Sequence, residues 1–390
     1  MKNQLIPWKH GFIESIKNMS FSGTEIFKEM RVHVVSLNIF PYDAVSRHIL
    51  ELGVFFEALG SQVTFHAKGC LEEHRSWIKN PSILHESLTS NDIILYQYSI
   101  WDDLLPELTD LPNKKVVFYQ GITDPELLQE YLPDCAKDCR IGLDHLFLLS
   151  KFNYILTSSN YNLNQIELSF KDNKIKYDPE NTFILPPYLT MDMWDGIAEK
   201  VFQNFDKNKM NLLYIGRFFA NKNIESVLKL FTRLWDRNHD YRLYLVGTGI
   251  SPEYYKKIRE YVERTWKNNK PVFFIHDVPG EQLKFLLNNC TAMIQLSLHE
   301  GFCVPLVEAM KFSLPIITHN VTAIPETMKG SGIIIDSNNI ESAVTKIDAM
   351  LKNDKALSVI KEDESRVYNQ FYTDMVVLNK YYRTFSNILQ

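Results

Sequence analysis

The run Leu212-Leu213-Tyr214-Ile215, followed by 224–236 and then Tyr241-Arg242-Leu243-Tyr244-Leu245-Val246, decides the fold class. The first and last pieces are short, apolar and too brief for helices, and they read as strands covered on both faces. The stretch between them has helical spacing. The same alternation continues outward in both directions. Toward the C-terminus come a helix at 252–267, a strand at 272–275, a short helix at 280–289, a strand at 292–296, a helix at 305–312 and strands at 315–318 and 332–335. Helices at 340–351 and 357–389 follow, and the last segment is rich in Tyr and Phe. Toward the N-terminus, Arg31-Val32-His33-Val34-Val35-Ser36-Leu37-Asn38-Ile39 reads as a buried parallel strand that ends before Pro41. Apolar residues at helical spacing fill 46–59 until Gly60 stops them, and strands follow at 62–66, 92–96, 115–119 and 154–157, with a helical stretch at 143–152. Repeated strand–helix alternation indicates an α/β fold with two doubly wound, Rossmann-like domains and a central cleft.

Pro186-Pro187 breaks the pattern, because a double proline fits neither a helix interior nor a central strand, and it is the expected hinge. The expected domains are therefore 1–186, with an extra preamble at 1–29 and a helix near Ile13–Ile16, then 187–370. A terminal helix at 371–390 is expected to pack back on the N-terminal domain.

The composition limits what such a protein does. The 390 residues are 45% hydrophobic and 23% charged, which excludes a disordered chain and a rod. Forty-two Lys and Arg against 47 Asp and Glu give a net charge of −5, unsuited to a general nucleic-acid binder. The five cysteines are scattered, and no second Cys/His pair accompanies Cys135 and Cys139, so free thiols and no metal site are expected. No apolar run suits a signal peptide or a membrane span, so the expected location is cytoplasmic, with peripheral contact at the inner face of the plasma membrane the alternative. Only 15 glycines are present, although chains that cradle phosphate on backbone amides use glycine freely. Their placement therefore carries weight.

Four of them stand at strand ends: Gly216, Gly247, Gly249 and Gly301. The last lies in Ser297-Leu298-His299-Glu300-Gly301-Phe302-Cys303-Val304-Pro305-Leu306-Val307-Glu308-Ala309-Met310, where a strand should turn tightly into a helix that begins at Pro305. The amides of Phe302, Cys303 and Val304 would then face an anion at the helix N-terminus. Isolated, Glu300 and Glu308 would read as a surface residue and a first-turn dipole partner. Together with this spacing, they read as carboxylates that accept hydrogen bonds from sugar hydroxyls. Alone, Arg217 and Lys222 would read as solvated surface; five apart after a strand and Gly216, they read as functional cations.

The segment 297–310 resembles the E-x7-E run of retaining GT-B glycosyltransferases, specifically glycosyltransferase family 4. Thr322-Ala323-Ile324-Pro325-Glu326-Thr327 is similar to the family's following proline–glutamate segment. Tyr214 to Asn223 is similar to its Gly-Arg…Lys loop, and Val246-Gly247-Thr248-Gly249 to its glycine turn. His276-Asp277-Val278 is similar to the piece where backbone atoms meet the base, with His276 or Asp277 in place of a glycine. In the N-terminal half, Asp43-Ala44-Val45-Ser46-Arg47-His48 resembles the motif of a polysaccharide-transferase subgroup, with Ser46 at the glycine position. Gln120 stands where that subgroup has a histidine lining the reacting centre; a polar strand terminus is the alternative for it.

The resemblance implies a metal-independent hexosyltransferase that binds a nucleotide-sugar, a GDP- or UDP-sugar, in its C-terminal domain. It further implies a glycan or lipid-linked acceptor on the side of Tyr42, Asp43 and Ser46, in surface polysaccharide synthesis. Glu300, Arg217, Lys222 and Gln120 would be catalytic. Glu308, the four glycines, Val278, Phe302, Cys303 and Val304 would bind the donor, and closure at the hinge would exclude water. A catalytically idle partner subunit and a nucleotide-sugar epimerase or hydrolase are the alternatives.

Overall fold

The computed structural model describes residues 13, 16, 19, 21, 23–40, 43–203, 205–249, 251–267 and 271–389. They form two compact units. The first comprises the chain to Ile122, Asp138–Met193 and the chain from Thr373 onward; the second comprises Thr123–Lys137 and Trp194–Tyr372.

In the first unit the strands are β1 (Arg31–Ile39), β2 (Gln62–Cys70), β3 (Ile78–Lys79), β4 (Ile93–Tyr98), β5 (Lys114–Tyr119), β6 (Tyr154–Thr157) and β7 (Thr182–Ile184). They form one parallel sheet in the order β3-β2-β1-β4-β5-β6-β7. Every residue of β4 is buried, which is why its sequence carries no alternation. The sequence shows no sign of β3 and β7, because two or three residues at a sheet edge are too few to express a period.

Pro186-Pro187 follows β7 inside this unit, with Leu185 and Tyr188 buried in its core. The next residues are held by two buried carboxylates. Glu51 accepts from Thr190 Oγ1 (2.9 Å), while Asp374 accepts from the amides of Met191 (2.8 Å) and Asp192 (3.1 Å). The division between units accordingly falls after Met193. The segment 357–389 holds two helices, Asp354–Phe371 in the second unit and Asp374–Leu389 in the first. Thr373 starts the second of them by accepting the Val376 amide on its hydroxyl (3.4 Å), and Val377, Leu378, Tyr381, Phe385 and Ile388 then enter the first core. Of the preamble, Ile13 and Ile16 are helical and Ile16 is buried.

The second unit holds β8 (Met210–Ile215), β9 (Tyr241–Val246), β10 (Val272–Ile275), β11 (Ala292–Gln295), β12 (Ile316–Thr318) and β13 (Ile333–Ile334), parallel in the order β10-β9-β8-β11-β12-β13. Helix Ile224–Arg237 returns from β8 with Ile224, Val227, Leu228, Leu230, Phe231 and Leu234 buried at helical spacing. Residues 123–137 belong here because Tyr131 packs edge-on against Tyr254 (5.2 Å) and accepts a hydrogen bond from Lys257 (2.8 Å).

Helix Asp354–Phe371 brings Glu364 against β12, where Oε1 accepts from the Ile316 amide (2.8 Å). Burial pushes its carboxyl up to about 8, against the opposing pull of that amide and of Lys361. A carboxyl raised on folding contributes stability that is complete below its unfolded value and is lost as pH rises through the folded one. Melting temperature is therefore expected to fall from pH 5 to pH 9, by about 2–4 °C per kcal/mol for a unit of this size. Glu364→Gln keeps the accepting oxygen and should flatten that slope; an unchanged slope in thermal scans would remove Glu364 as its source.

Candidate active site

The strand order places a crevice in the second unit. β8 and β11 are neighbours (Leu212 beside Ala292), but β8 leads to β9 on one side and β11 to β12 on the other. At such a reversal the loops leaving the strand ends diverge, and ligands settle between them. The two loops are 216–223 after β8 and 296–303 after β11.

These loops are laced together. The Leu298 amide donates to Asn221 O (2.8 Å) and Asn223 Nδ2 donates to Leu296 O (3.0 Å), with Asn223 itself in the left-handed region (φ 53°). Across the lacing, Lys222 Nζ meets Glu300 Oε1 at 2.6 Å, with side-chain exposures of 17% and 9%. Burial alone raises a carboxyl, yet Lys222, Ser297 and His299 together hold Glu300 below the usual carboxylate range. Glu300 is further fixed through its backbone, its amide donating to Thr322 Oγ1 (3.0 Å) and its carbonyl accepting from the Ala323 amide (3.3 Å).

The helix after this loop is Val304–Lys311, so Pro305 takes its second position rather than its first, and Glu308 lies buried in the second turn. Its N-cap residue makes no side-chain cap hydrogen bond. Cys303 occupies the cap position in the left-handed region (φ 75°) and is buried; burial raises its thiol, which stays protonated. Phe302 sits edge-on to Tyr372 (5.8 Å).

Arg217 and Lys222 take different directions. The Arg217 guanidinium lies over the Phe219 ring (4.8 Å), whereas Lys222 turns to Glu300.

Beside them, the Gly216 amide donates to Val246 O (2.9 Å) and the Gly247 amide to Ile275 O (3.0 Å), which draws the ends of β8, β9 and β10 together. His276 Nδ1 donates to Gly247 O (2.8 Å), so in the neutral ring Nε2 accepts from the Tyr255 hydroxyl (2.8 Å). Phe218, Phe274 and Tyr255 ring this point, and a Cβ on Gly249 would meet the Tyr255 ring at 3.2 Å. Asp277 has φ 49°, which identifies it rather than His276 as the occupant of the glycine-like position just before Val278. Asp277→Gly should therefore raise stability slightly and Asp277→Val should lower it by about 1–2 kcal/mol, checked by paired denaturant titrations.

In the first unit, Asp43 caps helix Ala44–Ala58 by accepting the Ser46 amide (2.9 Å) and hydroxyl (3.0 Å). Ser46 is buried, and its oxygen accepts from the Phe40 amide (3.1 Å). It ties the loop internally instead of clearing space as a glycine would. Gln120, half-buried at the end of β5, donates from Nε2 to His48 Nδ1 (2.8 Å). Tyr42 lies outside the described residues.

Asn221, Asn223, Thr322 and His319 are the positions that motif reading passed over. The first three lie inside the quoted motifs but carry no chemistry of their own. His319, whose Nε2 donates to Ser297 O (2.7 Å), has no local signal at all. Among the described residues no group of three or more His, Cys, Asp or Glu side chains could hold a metal ion, and no helix is long and apolar enough to cross a membrane.

Residues 197–366 match the family described as glycosyl transferases group 1. The chain is 28% identical to O-antigen chain mannosyltransferase B of Escherichia coli over 142 residues, 36% of this chain and 37% of the relative. It is 24% identical to O-antigen chain mannosyltransferase RfbU of Salmonella typhimurium over 274 residues, 66% of this chain and 71% of that one. The match thus spans little more than a third of the first relative's length. Among solved structures, sucrose-phosphate synthase from Thermosynechococcus elongatus superposes with a TM-score of 0.69 at 13% identity, covering 92% of this chain and 99% of that one. Two parallel α/β sheets in this layout are the GT-B fold.

Proposed function

We propose that this chain, whose residues 197–366 match the group 1 glycosyl transferases, moves a hexose from a nucleotide-sugar to a glycan or lipid-linked acceptor in polysaccharide synthesis, with retention at the anomeric carbon. The observation that carries the reading is the pair of half-buried Lys222 and buried Glu300 between the two diverging loops. A carboxylate kept ionised in a shielded place can hold sugar hydroxyls, and a lysine fixed beside it can meet the leaving diphosphate. Arg217 and the N-terminus of the helix at Val304 add to that positive charge. Transfer then needs no divalent ion, and chelator should leave it unchanged.

In this reading Glu308 holds the ribose, while Gly216, Gly247, Gly249, Val278, Gly301, Phe302 and Cys303 bring backbone close to the nucleotide. The incoming hydroxyl attacks on the face the diphosphate leaves, and a phosphate oxygen takes its proton. The acceptor belongs with the first unit, on the side of Tyr42, Asp43 and Gln120, with contact at a membrane surface where it is lipid-linked. The names of the relatives favour mannose, so GDP-mannose is the first donor to try.

Binding that favours the folded state stabilises by about 2.7 kcal/mol at a hundredfold excess over Kd, or roughly 5–10 °C for a unit of this size. A thermal-shift screen against GDP, UDP, TDP and their hexose conjugates should single out one base. No shift with any of them would overturn the assignment.

A further inference from the structure

Resting on the reading that Gln120 meets a substrate, we propose that His48 and Tyr381 are positioning residues that fix which end of the Gln120 amide faces it. Gln120 then presents its carbonyl oxygen and selects a hydroxyl.

The polarity starts from a group that can only accept. Tyr381 donates its phenolic hydrogen to Pro186 O at 2.9 Å. With that hydrogen committed, the Tyr381 oxygen accepts from its other neighbour, His48 Nε2, at 3.0 Å. Nε2 therefore carries the ring proton. His48 is fully buried, and burial, only partly opposed by Gln97, brings it down to about 3, so the ring is neutral and holds one proton. Nδ1 is then a lone pair, and the Gln120 Nε2 that lies 2.8 Å from it must be the donor. Little slack remains in this line of groups. Phe118 packs edge-on against the His48 ring at 4.5 Å, the Gln120 backbone N–H donates to Tyr98 O at 3.0 Å, and Gln97 Nε2 is committed to Val45 O at 2.7 Å.

One end of the Gln120 side chain is thereby fixed on His48, and its oxygen is the end left for a ligand. An amide oxygen accepts only, so it matches a sugar hydroxyl and repels a carboxylate or phosphate oxygen at the same place. The group that sets this preference, Tyr381, sits on the terminal helix Asp374–Leu389, 261 positions after Gln120 in sequence numbering (381 − 120).

The test has two readouts. The full chain labelled with 15N-histidine should show His48 protonated on Nε2 and bare on Nδ1, and Tyr381→Phe should mix the two forms. Nδ1 protonation in the wild type overturns the proposal. The second readout is release of GDP from GDP-mannose, or of UDP from UDP-glucose, with methyl α-mannoside present. His48→Asn keeps an accepting oxygen near the position of Nδ1, whereas His48→Leu keeps none. The leucine variant should lose about tenfold in kcat, and the asparagine variant should regain most of it. Equal loss in both, with thermal scans showing both folded, overturns the positioning role. Absence of any release by the wild type, with His48 protonated on Nε2, would break the transferase reading and leave the polarity standing.

Discussion

Lys222→Ala is expected to destabilise the second unit by about 3–5 kcal/mol and to lower kcat by about 10²–10³-fold. Both losses come from the same pair. The Glu300 side chain is 9% exposed and its cation is 2.6 Å away, so truncating the lysine leaves a buried carboxylate with its principal compensation removed. The pH dependence tests this independently. In the wild type Glu300 is held below its usual range, so its contribution is present above the unfolded value of 4.5 and is lost as pH falls through the lower folded one. In the variant, burial becomes the dominant influence and drives the carboxyl up, so stability is lost as pH rises instead. The gap between the two proteins in denaturant midpoints should therefore widen from pH 4 to pH 7. Replacing both partners by apolar residues, Lys222→Met with Glu300→Leu, should recover most of the stability and none of the turnover, because a buried ion pair is seldom more stabilising than well-packed apolar groups. A variant Lys222→Ala as stable as the wild type at every pH would mean that the pair is not shielded as described.

Gly247→Ala is expected to cost about 2–6 kcal/mol and to abolish nucleoside diphosphate binding. Gly247 has φ 153°, and a Cβ there would stand 1.9 Å from Gly216 O and 2.8 Å from Gly216 C. The obstacle is backbone, so no rotamer change relieves it. The loop that carries Arg217 and Lys222 must move. Gly280→Ala is the matching control: its Cβ would meet only Ile197 Cδ1 at 3.4 Å, at the first position of a helix, and stability should stay within about 0.5 kcal/mol. Calorimetric titration with the nucleoside diphosphate chosen by the screen, alongside thermal unfolding of both variants, checks the contrast. Retained binding in Gly247→Ala would show that the loop tolerates displacement.

All six strands of the second unit are legible in the sequence because each is apolar and bounded by a glycine, a proline or a polar turn. In the first unit β3 and β7 escape, since their two and three residues lie at the sheet edge. The terminal helix read from 371 starts at Asp374, after the Thr373 cap; neither glycine nor proline marks that boundary. Ser46 stands at the position where the resembled motif has a glycine. Its hydroxyl faces inward, and nothing in the local motif reports which way a serine points.

The 297–310 run, read from spacing alone, places Glu300 and Glu308 about a strand-to-helix turn. Glycines at 216, 247 and 301 mark where backbone turns at strand ends. These are local properties, set by which face of a short segment is covered and by which residues permit a turn, and the sequence alone determined them. Partner choice is not local. Lys222 and Glu300 are 78 residues apart, and they meet only because β8 pairs with β11 while their connections leave in opposite directions. His48 and Tyr381, 333 residues apart, meet only because the last helix joins the first core. Tertiary structure decided both, because crossover connections set the strand order, and strand order selects which loops face each other.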